Sequence, residues 1–191
     1  MRIVGGRFRG RPIATPMPGG QAIRPTSDRV RQALFDILMH GIADFDLDGT
    51  RVLDLFAGTG ALAFEALSRG AASAVLVDES AAARALMRET IVAIGLAGRA
   101  RILKRDATDL GPAEAIPPAN LVFADPPYGK SLGERAIASA IAGGWIAEGA
   151  LIVLEEAEGS TIGEIAGTAV IDERAWGGTL VRFMQLRTRS P

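Results

Sequence analysis

The chain has 191 residues, 48% of them hydrophobic and 23% charged, a length and balance that suit one compact domain over 1–191 and exclude an intrinsically disordered chain. It contains no cysteine, which excludes disulfides and thiolate metal sites, and no apolar stretch reaches the roughly 18 residues of a membrane helix, so a soluble cytoplasmic protein without a metal centre is expected. The net charge of −1 conceals an asymmetry, because residues 1–31 carry seven arginines against the single acid Asp28. Arginine abundance alone says little in a chain with only two lysines. The clustering and the scarcity of acids suit a polyanionic partner, since a guanidinium forks onto phosphate.

Residues 1–26 read as extended pieces broken by Gly and Pro, the pattern of a basic arm or hairpin. Thr26 and Ser27 follow Pro25 as N-cap residues, and Val30, Ala33, Leu34, Ile37 and Leu38 recur at helical spacing, which predicts a helix over 27–41. Arg29 and Arg31 flank that stripe and are expected to face solvent or a ligand. From residue 50 strands and helices alternate. Strands are predicted at 51–57, 71–78, 100–106, 120–128 and 150–156, with helices over 61–69, 80–94 and 131–143 and a proline-containing loop after the third strand. Right-handed crossovers then give an α/β chain with a largely parallel, doubly wound sheet. Residues 168–176, the turn Gly177–Gly178 and residues 179–187 close it as an antiparallel hairpin.

In such a sheet ligands bind beyond the carboxyl ends of the strands, where strand order reverses. Asp54-Leu-Phe-Ala-Gly58-Thr-Gly60 follows the first strand, and its glycines let the backbone approach a ligand and turn into a helix whose amino end attracts anions. Asp78 ends the second strand, where an acid can accept hydrogen bonds from both ribose hydroxyls, and Asp106 ends the third, where it can meet an adenine amine. These residues alone leave a dinucleotide enzyme open, because Gly58 to Ala63 also fits the Gly-x-Gly-x-x-Ala fingerprint. The fourth strand decides. It ends in Asp125-Pro126-Pro127-Tyr128, in which the prolines hold the chain rigid and aim a carboxylate and backbone carbonyls at one point beside an aromatic ring. Those groups fit a planar amine on a nucleobase: two acceptors for its N–H bonds and a ring to stack on the base.

Together these residues resemble the class I methyltransferases, and the tetrapeptide at 125–128 is similar to the signature of those acting on amines. MRIVGGRFRGR (1–11), RPTSDRVRQALFDIL (24–38) and DLFAGTGALAFEALSRGA (54–71) resemble the RsmD family more narrowly, over nearly the whole chain. The resemblance implies a class I (Rossmann-like) seven-stranded sheet, mostly parallel with a C-terminal antiparallel hairpin, plus the basic arm and helix at the N-terminus. It implies S-adenosylmethionine as cofactor and guanine N2 of 16S ribosomal RNA as target, within an assembled or partly assembled small subunit, by a monomer. Asp54, Gly58 and Gly60 are then placed on the methionine side of the cofactor, with Phe56 and Asp125 against it, Asp78 at the ribose and Asp106 at the adenine. Asp125, Pro126, Pro127 and Tyr128 hold the guanine, while Arg7, Arg9, Arg11, Arg24, Thr26, Arg29 and Arg31 meet the RNA. Family members often have Phe where this chain has Tyr128, which preserves stacking.

A DNA or RNA adenine-N6 methyltransferase shares this amine chemistry, although the DNA enzymes normally carry a further recognition segment for which 191 residues leave little room. Glutamine methyltransferases usually have Asn where this chain has Asp125, and a non-catalytic RNA-binding assembly factor would not need intact motifs. His40, the single histidine, is expected at a helix end, and Trp145 and Trp176 as packing residues.

Overall fold

The computed structural model describes residues 1–16 and 28–188. After α1 (Asp28–His40) come β1 (Arg51–Leu55), α2 (Ala61–Ser68), β2 (Ser73–Val77), α3 (Ala81–Ile94) and β3 (Ala100–Leu103). They are followed by β4 (Ala119–Ala124), α4 (Leu132–Ala142), β5 (Ile146–Ala157), β6 (Thr168–Trp176) and β7 (Thr179–Leu186). All seven strands form one sheet in the order β3-β2-β1-β4-β5-β7-β6. Strands β1 to β5 are parallel and β7 runs antiparallel between β5 and β6, as the Gly177–Gly178 turn predicts. Leu55, Ala124 and Leu154 lie side by side, so the carboxyl ends of β1, β4 and β5 finish in register.

Side chains alternate across the sheet and feed two cores. Val52, Leu76, Phe123, Val153 and Phe183 pack beneath α1, α2 and α3, and Leu53, Leu55, Val122, Ile152 and Leu154 pack beneath α4. The predicted boundaries shift where local chemistry intervenes. Strand β4 stops at Ala124, because Pro126 and Pro127 cannot donate to a neighbouring strand. Strand β3 stops at Leu103, because Asp106 caps a short 3-10 turn over Ala107–Asp109. Strand β5 begins four residues early, at Ile146, where an irregular stretch through Gly149 pairs with Ala119 before regular pairing resumes at Leu151.

Of the arm or hairpin expected over 1–26, residues 17–26 lie outside the described residues, and residues 1–13 form a hairpin closed by an antiparallel bridge between Arg2 and Pro12 and by the bond from Ile13 N to Met1 O. Ile3 and Ile13 are buried, so the hairpin is part of the body. It docks on the end of α2, where Arg7 N donates to Ser68 O and Ser68 Oγ donates to Gly5 O. Gly6 permits that approach: its φ is +73°, and a Cβ there would stand 2.1 Å from Ser68 O.

One expectation is overturned inside this joint. Arg31 does not face solvent or RNA; it is fully buried, at 0% exposure. It lies on the same helical repeat as Leu34, Phe35 and Leu38, so it points into the body with them. Its guanidinium donates to Asp28 Oδ1 at 2.7 Å, Arg2 O at 2.8 Å and Glu65 Oε1 at 3.4 Å. Glu65, equally buried, also accepts Val4 N–H and pairs with Arg69, whose guanidinium stacks on Phe35 at 4.5 Å. The network welds the hairpin, α1 and α2. Removing Glu65 takes the buried Arg69 from its acid and leaves Arg31 with Asp28 alone, so Glu65→Leu is expected to lower the unfolding free energy by about 3 kcal/mol in urea denaturation. Arg29→Ala, on the exposed side of α1, is the control and should leave the midpoint in place; equal effects would contradict the network's role.

Candidate active site

Loops leaving β1 and β4 diverge because β2 lies on one side of β1 and β4 on the other, and a crevice opens between them at the carboxyl ends. Asp54 sits one residue before the end of β1 and is 2% exposed. Its Oδ2 accepts Ala63 N–H at 3.2 Å, which ties the strand to the first turn of α2. The intervening turn is left-handed at Phe56 (φ 63°), Gly58 (φ 56°) and Gly60 (φ 77°). A Cβ at Gly60 would lie 2.7 Å from the Phe64 ring and 2.8 Å from Leu76, so the cradle requires glycine there.

Asp78 braces this turn. Its Oδ2 accepts Gly58 N–H at 2.8 Å and its Oδ1 accepts Ser80 N–H at 2.8 Å, which joins the loops after β1 and β2 at the crevice floor. Asp106 is exposed beyond β3. The Thr108 hydroxyl and the Thr108 backbone N–H both donate to it at 2.8 Å, and those bonds, the hydroxyl's foremost, hold its carboxyl below the usual range. Asp125 follows Ala124 directly, with Pro126 buried, Pro127 exposed and Tyr128 half-buried.

The structure adds a residue the sequence reading missed. Glu155 follows Leu154 on β5 as Asp125 follows Ala124 on β4, so both project toward the face that carries Asp54. Glu155 is 2% exposed, and its Oε1 is buried without a hydrogen-bond partner among the described residues. Burial first, then the charges of Asp125 and Asp54, push its carboxyl well above the ordinary value. Burial likewise drives Asp54 up to about 8 against the Ala63 hydrogen bond, with Asp125 and Asp78 adding to the rise. The sequence signal was present in the run Ile152-Val153-Leu154-Glu155-Glu156, where two acids end a buried strand. Asp54 and Glu155, buried at the carboxyl ends of β1 and β5 with Asp125 beside them, thus form a desolvated acidic group whose ionisation a cationic ligand would favour.

The arginines expected at the RNA are spread widely. Arg7 and Arg9 are exposed on the hairpin turn at the Ser68 end of α2, one helix length from the Gly60 turn, and Arg11 donates to Ala93 O near the end of α3. Arg29 is exposed at the start of α1, near the β6–β7 turn, where Val30 approaches Gly177. Arg24 and Thr26 lie outside the described residues. His40 is exposed at the end of α1, and Trp145 is buried, donating to Gly111 O at 2.8 Å. No group of His, Cys, Asp and Glu that could hold a metal occurs among the described residues, and no helix there is long and apolar enough to cross a membrane.

The raised pKa of Asp54 fixes the sign of a pH effect. Its folded state keeps a proton that the unfolded chain releases above the ordinary value of 3.8, so the ligand-free protein loses stability as pH climbs from there to about 8. Asp54→Asn removes this loss while an amide oxygen can still accept Ala63 N–H. The variant is expected to be more stable than the parent at pH 8.5, with the gain shrinking toward pH 4, in urea titrations. A variant no more stable at pH 8.5 would contradict the desolvated state of Asp54.

Comparison with known proteins meets this geometry. The family model for Conserved hypothetical protein 95 matches residues 1–185. Ribosomal RNA small subunit methyltransferase D of Escherichia coli (strain K12) is 40% identical over 155 residues, covering 81% of this chain and 74% of its own. The protein of the same name from Haemophilus influenzae is 29% identical over 187 residues, covering 97% of this chain and 93% of its own. The solved structure of yhhF from Escherichia coli superposes with a TM-score of 0.80 at 32% identity and covers 99% of both chains. The sheet with its antiparallel close is the class I methyltransferase fold, and the chain belongs to the RsmD family of methyltransferases.

Proposed function

We propose that this protein transfers a methyl group from S-adenosylmethionine to the exocyclic N2 amine of a guanine in 16S ribosomal RNA, on an assembled or partly assembled small subunit, as a cytoplasmic monomer. The observation that carries the reading is the placement of Asp125-Pro126-Pro127-Tyr128 beside the buried acids at the switch point. The relatives named as small-subunit ribosomal RNA methyltransferases supply the RNA.

The residues present fit the cofactor. The Gly60 cradle excludes any Cβ, and the orphaned Glu155 oxygen and the desolvated Asp54 await positive charge. Gly58, Gly60, Phe56 and Asp54 would hold its methionine side, Asp78 its ribose and Asp106 its adenine. When bound, it supplies an electrophilic methyl group on a positively charged sulfur.

The chain's own part is to position the amine. Asp125 and the backbone carbonyls beside it accept the two N–H bonds, which leaves the nitrogen lone pair available for attack. Tyr128 stacks on the base, and the rigid Pro126–Pro127 step keeps ring and carboxylate in fixed relation. No strong base is needed before attack, because the amine can lose its proton once it becomes cationic; Asp125 orients it. Arg7, Arg9, Arg11 and Arg29, with Arg24 and Thr26, would meet the RNA, the arginines contacting phosphates across a footprint reaching from the crevice to the far end of α2.

The test is transfer of labelled methyl groups to small subunits lacking native base methylation, with the nucleoside identified by mass spectrometry. Label in N2-methylguanosine of 16S RNA is expected, and Asp125→Ala should lower kcat at least about a hundredfold while cofactor affinity persists. Label in N6-methyladenine or in protein would overturn the substrate assignment. Stoichiometric RNA binding without turnover would favour an assembly factor.

A further inference from the structure

Glu156 stands beside Glu155 on β5 but faces the opposite side of the sheet, toward α4. The segment it meets is the one that presents the target amine. After Pro127 the chain is exposed through Gly129 and Lys130, and it enters α4 by left-handed turns at Gly129 (φ 77°) and Ser131 (φ 48°). Ser131 is a non-glycine residue in that conformation and makes no side-chain cap to the helix. Its own conformational preferences therefore give this segment little reason to hold one shape.

Glu156 is 4% exposed and three donor groups converge on it. Both carboxylate oxygens accept Gly129 N–H, at 3.3 and 3.2 Å. Oε2 also accepts Ala157 N–H at 3.2 Å and the Ser160 hydroxyl at 3.1 Å. One buried carboxylate thus joins the exit of the Asp125–Tyr128 loop to the end of β5 and to the connection toward β6. A carboxylate suits this post because it offers acceptors on both oxygens, and bonds to a charged acceptor are stronger than neutral ones. Pro126, packed near Gly133 and Leu154, pins the entrance of the loop, and Glu156 pins its exit.

We propose that Glu156 is a positioning residue for methyl transfer, a latch that holds the loop bearing Asp125 and Tyr128 in the shape that presents the amine. The proposal rests on the methyl-transfer reading above, and its test separates the two. Tyr128 is the one tyrosine of the chain, so incorporation of 3-fluorotyrosine gives a single fluorine resonance that reports the loop directly. The wild-type protein should show one narrow line, and Glu156→Ala should broaden or split it. The same variant should keep its cofactor affinity and lose about a hundredfold in kcat, the scale of cost for a misplaced reacting group. Glu156→Gln, which retains an oxygen for Gly129 N–H, should recover the narrow line and part of kcat.

An Ala variant with the wild-type line and wild-type kcat would overturn the latch. If that variant fails to fold, amide exchange in the wild-type protein decides: Gly129 should exchange more slowly than Lys130, and equal rates would refute the contact. A wild-type protein that moves no methyl group while the resonance still depends on Glu156 would sink the catalytic role along with the functional reading.

Discussion

Glu65 and Glu155 are both excluded from water, and what meets each of them separates scaffold from site. Around Glu65 the chain supplies Arg31, Arg69 and the Val4 N–H, so its charge is matched inside the protein and fixes the hairpin, α1 and α2 to one another. Around Glu155 the chain supplies two more acids, Asp54 and Asp125, and one carboxyl oxygen is left without a partner. Burying like charges together opposes folding, and it persists where a ligand reverses the cost. The first cluster makes a stable platform. The second makes a place where a cation belongs.

Strand register converts those acids into a site. Because β1, β4 and β5 end in step, Asp54, Asp125 and Glu155 arrive together on one face beside the Gly58–Gly60 turn. The opposite face of the same strand ends carries Glu156, which restrains the loop from below. On the proposed function, adjacent residues of β5 would serve the two halves of the reaction, Glu155 on the side of the cationic cofactor and Glu156 on the side of the loop that presents the amine. The exposed arginines lie outside this crevice, which fits a division between local chemistry and an extended RNA footprint.

Much of this was legible in the chain. Apolar runs between turn signals and helical spacing located the seven strands and four α-helices of the described residues, and the Gly-Gly turn announced the antiparallel close, because these features are local. Asp54, Asp78, Asp106 and Asp125 were legible because an acid ending an apolar strand has a fixed address in a doubly wound sheet. Arg31 was misread because charge was weighed above position: its spacing to Leu34, Phe35 and Leu38 already put it on the inner face, and Asp28, the Arg2 carbonyl and the distant Glu65 together explain how it survives there. Glu155 and Glu156 also end an apolar strand and were passed over there, while their separate roles depend on what neighbouring strands and loops bring to them.

The central claim is that Asp54 and Glu155, at the carboxyl ends of β1 and β5, hold protons in the free protein and release them to solvent when a cationic cofactor binds. Calorimetric titration with S-adenosylmethionine near pH 7.5, repeated in buffers of different ionisation enthalpy, measures this directly through the protons exchanged on binding. Net proton release is expected, reduced in Asp54→Asn, because a bound positive charge lowers the carboxyl's hold on its proton. Binding with no proton release, or with release untouched by that substitution, would contradict the account.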